Sequence, residues 1–212
     1  MDYLIYILAI CISAPLILMT ALADRKTRRL LGFMILGMYI AVLASEINSI
    51  HSYIFRNSMD FFHLTITVTP VSEEILKALP LLFTAVVISD NREFLFQQAM
   101  SIGLGFAILE NTFILIQNVE SVSLLWAMIR GFSSGLMHAL CTICVGIGIS
   151  LVKKRRKLFV CSTFAWLLTA SIYHSLFNML VQSDYWYVGV MIPIVSYIPI
   201  AVIIKKRKLN AT

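Results

Sequence analysis

The sequence predicts an all-α, polytopic membrane protein with about seven transmembrane helices, and three observations support this. Hydrophobic residues make up 59% of the 212 residues and charged residues only 13%, whereas a soluble domain carries about 25% charged residues. The hydrophobic residues fall into long uninterrupted stretches, and most basic residues lie between these stretches. The net charge of +6 is therefore better explained by membrane topology than by binding of nucleic acid.

Seven apolar stretches have about the 20 residues that a helix needs to cross a hydrocarbon core of roughly 30 Å. Each is predicted to be a helix, because lipid offers no hydrogen-bond partner to an open backbone. The stretches cover residues 3–23, 30–50, 63–88, 94–118, 121–152, 158–182 and 186–204. No linker separates them into groups, so residues 1–212 are expected to form a single membrane domain.

The positions of the basic residues predict the orientation. In a seven-helix arrangement fourteen Lys and Arg residues lie on one side, and the connections on the other side contain only Arg56. The fourteen are Arg25, Lys26, Arg28, Arg29, Arg92, Lys153, Lys154, Arg155, Arg156, Lys157, Lys205, Lys206, Arg207 and Lys208. Because positive residues concentrate on the cytoplasmic side, the N-terminus is predicted to be outside and the C-terminus cytoplasmic. Helix 1 has no basic segment before it, so it is predicted to be a retained span and not a signal peptide.

The third apolar stretch contains three charged residues, Glu73, Glu74 and Lys77. At the centre of a membrane helix each costs about 2.5–3.5 kcal/mol, so their face is expected to point toward protein or enclosed water. Lys77 lies one helical turn after both glutamates and can pair with either. Pro70 is expected at the start of the regular helix, which would place the glutamates near its positive end.

Helices 4, 5 and 6 carry further polar residues that are costly in a membrane. They are Glu110, Asn111, Arg130, His138, His174 and Asn178. Glu73, Glu110 and His174 are expected at a common depth of about 12–15 Å below the outer surface, with His138 deeper unless helix 5 projects outward. Gly103 and Gly105, before Glu110, are expected to permit close helix packing. Single His or Asn residues often only join helices, but several ionisable groups at one depth indicate a functional site.

These residues resemble the motifs of the PrsW family of bacterial membrane proteases, a distant relative of the CAAX prenyl endopeptidases and of bacteriocin-processing membrane proteases. The motifs are Glu73-Glu74-x-x-Lys77, Phe106-x-x-x-Glu110-Asn111, His138 and His174-x-x-x-Asn178. The resemblance covers residues 65–180, and helices 1, 2 and 7 carry no recognised motif. Lys77 and Glu110 favour PrsW over the CAAX branch, which typically has arginine and histidine at these positions.

The resemblance implies a hydrolase that cleaves a membrane-anchored, single-span protein near its extracytoplasmic side. An anti-sigma factor is the expected substrate class, in regulated proteolysis at the bacterial cytoplasmic membrane. Glu73 or Glu74 is expected to be the general base toward water held with His138 or His174. Asn178 is expected to stabilise the oxyanion, with Arg130 or Asn111 as lesser candidates. Lys77 is expected to keep one glutamate ionised.

Metal dependence is left open by the sequence, with a slight preference for a metal-free glutamate mechanism. Glu73, Glu110, His138 and His174 are suitable ligands for a divalent ion such as zinc, although no His-Glu-x-x-His is present. Two other classes are alternatives. A proton- or cation-coupled transporter also buries such groups, but it more often has internal repeats. A catalytically silent membrane chaperone or immunity factor could retain a protease fold.

Overall fold

The computed structural model describes residues 3–152 and 156–209, and seven α-helices occupy most of this part of the chain. The helices are α1 (Leu4–Leu22), α2 (Arg25–Phe55), α3 (Phe61–Phe83), α4 (Arg92–Gln117), α5 (Leu124–Ile149), α6 (Arg156–Val181) and α7 (Trp186–Leu209). A π-helical turn, Thr84–Ile88, continues α3. The all-α bundle and its number of helices are as the sequence predicts.

Five of the seven helices, α1, α2, α4, α5 and α6, are long and apolar enough to cross a membrane. Helix α3 is not among them, because every stretch of 18 residues in it contains the three charged residues Glu73, Glu74 and Lys77. For α7 the apolar part within the described side chains is Trp186–Pro199. The helical content and the five apolar spans define a polytopic membrane protein.

The orientation remains a prediction, and several residues on which it depends lie outside the described part. Lys153, Lys154 and Arg155 are not described. The backbone of α6 and α7 is described at Arg156 and at 205–208, but the side chains there are not.

Helix α3 begins earlier than the sequence prediction based on Pro70. Asp60 caps the helix by accepting a hydrogen bond from the His63 backbone N–H at 2.8 Å. Pro70 therefore lies inside α3, and the expectation that it starts the helix is wrong. As a result Glu73 lies twelve residues after Phe61, about 18 Å from the start of the helix, and is far from its positive end.

Glycines allow α4 to pack closely against two neighbours, α2 and α5. A Cβ atom added at Gly103 would lie 2.6 Å from the His138 carbonyl oxygen, and one at Gly105 would collide with the Met34 backbone in α2. A real Cβ does not approach a backbone this closely, so the two small residues set the interhelical distances. Gly103 thus lets α5 approach α4 closely at His138.

Candidate active site

The charged motif of α3 is buried in the centre of the bundle. Glu73, Glu74 and Lys77 have relative exposures of 3%, 0% and 0%. The spacing of three and four residues between the glutamates and Lys77 places them on neighbouring parts of one helix face. This face is covered by α2, α5 and α6. The prediction that the charged face of α3 turns away from lipid is therefore confirmed.

Lys77 connects two of the predicted site residues. Its Nζ donates to Glu74 Oε1 at 2.6 Å and lies 3.0 Å from His138 Nδ1. The ammonium also lies 4.6 Å from the centre of the Phe106 ring, where a cation–π interaction adds stabilisation. The pairing of Lys77 with a glutamate was predicted, but its hydrogen bond to a histidine of α5 was not.

His138 lies between Lys77 and Glu110. Its Nε2 is 2.8 Å from Glu110 Oε2. An ammonium group can only donate, so we assign the proton of a neutral His138 to Nε2 and its lone pair to Nδ1. His138 then donates to Glu110, whose side chain is 26% exposed. This chain of contacts joins α3, α5 and α4.

His174 approaches both glutamates of α3. Its Nδ1 is 2.9 Å from Glu74 Oε1, and its Nε2 is 3.8 Å from Glu73 Oε2. A carboxylate can only accept, so we assign the proton to Nδ1 and the lone pair of a neutral ring to Nε2. The lone pair therefore faces the carboxylate of Glu73. The rings of His174 and His138 are 4.9 Å apart, edge to face.

Ionisable groups from helices α3, α4, α5 and α6 thus lie close together, but not at the equal distances from the helix ends that the sequence predicts, because Glu73 lies about 18 Å from the start of α3. Glu110 and His174 each lie seven residues, about 10 Å, before the end of their helix. His138 lies fourteen residues, about 21 Å, after the start of α5. Helix α5 therefore extends beyond the ends of α4 and α6 at this end of the bundle.

One contact of the site was missed by the sequence analysis. Asn48, on α2, donates from Nδ2 to Glu73 Oε1 at 3.0 Å. The other carboxylate oxygen, Glu73 Oε2, is buried and has no hydrogen-bond partner in the part of the chain that the structure describes. The asparagine itself, near the polar end of the second apolar stretch and close to Glu46, was the signal in the sequence, and such residues commonly have a purely structural role.

The three residues predicted to stabilise the oxyanion make different contacts. Asn178 donates from Nδ2 to the backbone carbonyl of Thr65 at 3.0 Å and so joins α6 to the start of α3. Asn111 is buried, and its Oδ1 has no hydrogen-bond partner within the described residues. The guanidinium of Arg130 lies 5.5 Å from the Trp126 ring, and its buried Nε likewise lacks a partner there.

Glu73, His138 and His174 could hold a metal ion. One ligand atom from each lies within 4.8 Å of the other two. The open Glu73 Oε2 and His174 Nε2 are 3.8 Å apart, close to the roughly 3.3 Å between two ligand atoms of a tetrahedral zinc ion. Glu74 supports His174 through Nδ1, as carboxylates do behind metal-bound histidines. The residues therefore fit a metal, with His138 required to exchange one of its two contacts, either with Lys77 or with Glu110.

A bundle of membrane helices that encloses two histidines and three glutamates has the donor set of a membrane-embedded hydrolase of the metalloprotease type. Comparison with family models supports this class. The model described as PrsW family intramembrane metalloprotease matches residues 25–204. The chain therefore belongs to the PrsW family and is an intramembrane peptidase. Searches of curated proteins and of solved structures found no match.

The family match extends the resemblance seen in the motifs alone. It includes α2 and most of α7, which carry no recognised motif, and α2 contributes Asn48 to the site. The description as metalloproteases and the Glu73–His138–His174 group both favour metal dependence. They count against the slight preference for a metal-free mechanism that the sequence suggested.

Proposed function

We propose that the chain hydrolyses a peptide bond of a membrane-anchored, single-span protein near the extracytoplasmic side of the bacterial cytoplasmic membrane. The observation that carries the proposal is the meeting of Glu73, His138 and His174 within 4.8 Å inside the bundle. Peptide hydrolysis needs an activated water, a stabilised oxyanion and a proton for the leaving amine. The buried carboxylates and imidazoles supply groups for each of these tasks.

Glu73, His138 and His174 would hold a divalent ion, with Glu110 as a further candidate ligand. When bound, such an ion supplies Lewis-acid chemistry, polarising a peptide carbonyl and acidifying water. Glu110 lies next to His138 and has the most exposed carboxylate of the site. We assign it the transfer of a proton from the attacking water to the leaving amine. In a metal-free reaction Glu73, with its open Oε2, would be the general base instead.

Glu74 and Lys77 have supporting roles in this scheme. Glu74 Oε1 accepts from both Lys77 and His174, at 2.6 and 2.9 Å, so this oxygen is already engaged. Glu74 orients His174, and Lys77 balances its charge and holds His138. Of the two adjacent glutamates, Glu73 is therefore the one that reacts.

The oxyanion would be stabilised near the outer part of the site. Asn178 is one helical turn from His174, but its amide donates to the Thr65 carbonyl and would have to leave this partner. Arg130 has an unpaired Nε and a permanent positive charge. The side chain amide of Asn111, next to Glu110, is the third candidate.

The substrate class that we propose is an anti-sigma factor or a similar regulator with one transmembrane segment. Support comes from family membership and from the predicted orientation, which puts the site nearer the outer surface. Cleavage there would release an anchored regulator from control at the membrane. The basic residues of the opposite face are then cytoplasmic.

The test is cleavage of a panel of single-span reporter proteins by the purified protein in proteoliposomes. Glu73→Gln and His174→Ala should each reduce cleavage by more than about 100-fold, since each removes a group from the site. Thr112→Val is the control, because Thr112 is only half-buried and its hydroxyl bonds to the Ile108 carbonyl of its own helix. Wild-type cleavage by both variants would contradict the proposed site.

A chelator separates the two mechanisms within the same assay. Treatment with 1,10-phenanthroline should abolish cleavage, and added zinc or cobalt should restore it in the wild type. Cleavage that persists in the metal-free protein would favour Glu73 as a general base. Accumulation of an ion in proteoliposomes, without cleavage of any reporter, would favour the transporter alternative.

A further inference from the structure

The carboxylate of Glu73 is held from one side only. Its Oε1 accepts a hydrogen bond from Asn48 Nδ2 at 3.0 Å, while Oε2 has no hydrogen-bond partner among the described residues and faces His174 Nε2 at 3.8 Å. The side chain is 3% exposed, so solvent does not compete strongly for either oxygen. The two oxygens of Glu73 therefore have different roles, and Asn48 determines which of them is open.

The position of Asn48 is itself supported. Its Oδ1 lies 3.5 Å from Ser72 Oγ, which is on α3 next to Glu73, and Ser72 also donates to the Thr69 carbonyl at 2.9 Å. The single hydroxyl proton of Ser72 is donated to Thr69, so the orientation of the amide follows from Glu73. A carboxylate only accepts, and Asn48 Nδ2 must therefore face Glu73 Oε1. Helix α2 thus contacts the catalytic face of α3 through an amide of defined orientation.

An amide side chain suits position 48. A neutral N–H donor holds a carboxylate without pairing its charge, whereas Lys or Arg there would form an ion pair with it and weaken its hold on a metal ion. A carboxylate at position 48 would repel Glu73. The second oxygen of Glu73 then remains open toward His174 or an ion.

We infer that Asn48 is a positioning residue of the active site, which binds Glu73 Oε1 and thereby presents Oε2 toward His174. This inference rests on the proposed role of Glu73. It extends the site to α2, a helix without a recognised motif, and distinguishes Asn48 from an asparagine that only joins two helices. Partners that orient a metal-binding residue typically contribute about 10–100-fold to activity or metal affinity.

The variants Asn48→Ala, Asn48→Asp and Asn48→Gln test the inference in purified protein in proteoliposomes. With a cleaved reporter, Asn48→Ala should lower kcat by about 10–100-fold with KM within about two-fold. Asn48→Asp should lose more, because it places two carboxylates against each other. Asn48→Gln keeps the amide and should recover part of the loss. Ser49→Ala is the control, since Ser49 is exposed and bonds to the Ser45 carbonyl of its own helix.

A second measurement needs no substrate. Competition with a chromophoric chelator gives the cobalt affinity of each variant, and Asn48→Ala should weaken it by about 10–100-fold with an unchanged melting temperature. Wild-type kcat and cobalt affinity in Asn48→Ala would overturn the inference, even if Glu73→Gln is inactive. A loss that follows the melting temperature equally in all three variants would also overturn it, because it would show a role in packing alone. Failure of Glu73→Gln to lose activity would instead refute the proposed function.

Discussion

Replacing Lys77 tests whether the centre of the site is an ion pair and not only a hydrogen-bonded cluster. In Lys77→Met the ammonium is lost, and Glu74 keeps only His174 as a partner for its buried carboxylate. Both side chains of the pair are at most 1% exposed. Removing one partner of a buried pair costs about 3–5 kcal/mol, a large part of a typical stability of about 5–15 kcal/mol.

The same reasoning predicts that a second substitution rescues folding but not catalysis. In Lys77→Met with Glu74→Gln neither member of the buried pair carries a charge, and the Gln oxygen can still accept from His174 Nδ1. The double variant should recover most of the about 3–5 kcal/mol. Cleavage should remain low, because His138 has lost the donor at its Nδ1.

Unfolding in detergent micelles, followed by helix content against denaturant, measures all four members of this double-mutant cycle. Reporter cleavage is measured on the same samples. A single Lys77→Met variant as stable as the wild type would refute the reasoning. So would a double variant that is less stable than Lys77→Met, because the two residues would then not act as a pair.

Three further predictions concern packing, orientation and pH. Gly103→Val should reduce cleavage and thermal stability because its Cβ would meet a backbone carbonyl of α5 at 2.6 Å, whereas Gly131→Val, where a Cβ meets nothing within 4 Å, should not. In a cysteine-free protein, Ser58→Cys should react with an impermeant maleimide added to whole cells, and Ser89→Cys should not; the reverse would invert the predicted orientation. The backbone N–H of His63 lowers the pKa of Asp60 below its usual value of 3.8. The stabilising effect of Asp60 should therefore be present above pH 4 and be lost as the pH falls through the lowered pKa, so that Asp60→Asn flattens the acid limb of a melting-temperature profile.

The sequence predicted the helices well because membrane insertion constrains them strongly. Length and apolarity specify a spanning helix almost without reference to its neighbours, so all seven stretches correspond to observed helices. The ends were less predictable. Pro70 suggested a helix start, but Asp60 supplies the cap and α3 tolerates the proline within its course. A local signal at one residue was outweighed by a better capping residue earlier in the chain.

The membership of the site was also largely predictable, because each ionisable residue in a membrane helix carries a cost that must be explained. Glu73, Glu74, Glu110, His138 and His174 all meet in the structure. Their pairing was not predictable from the sequence. Which nitrogen of His138 meets which partner depends on how α5 is placed relative to α3 and α4, and Gly103 sets this distance through space.

The contact between Asn48 and Glu73 could not be predicted from the sequence. Inserting a neutral amide into a membrane costs less free energy than inserting a charge. An asparagine in a spanning helix is therefore weak evidence for a function, and no recognised motif surrounds Asn48. Its importance comes from its partner, since it is the residue that binds one oxygen of Glu73 and leaves the other open. The charged residues, whose insertion into a membrane costs most free energy, identify the chemistry of this site. The neutral polar residues around them determine its geometry. Substitutions of the charged residues should abolish cleavage. Substitutions of the neutral polar residues should only lower kcat, and the loss should be smaller where the remaining contacts still hold Glu73 toward His174.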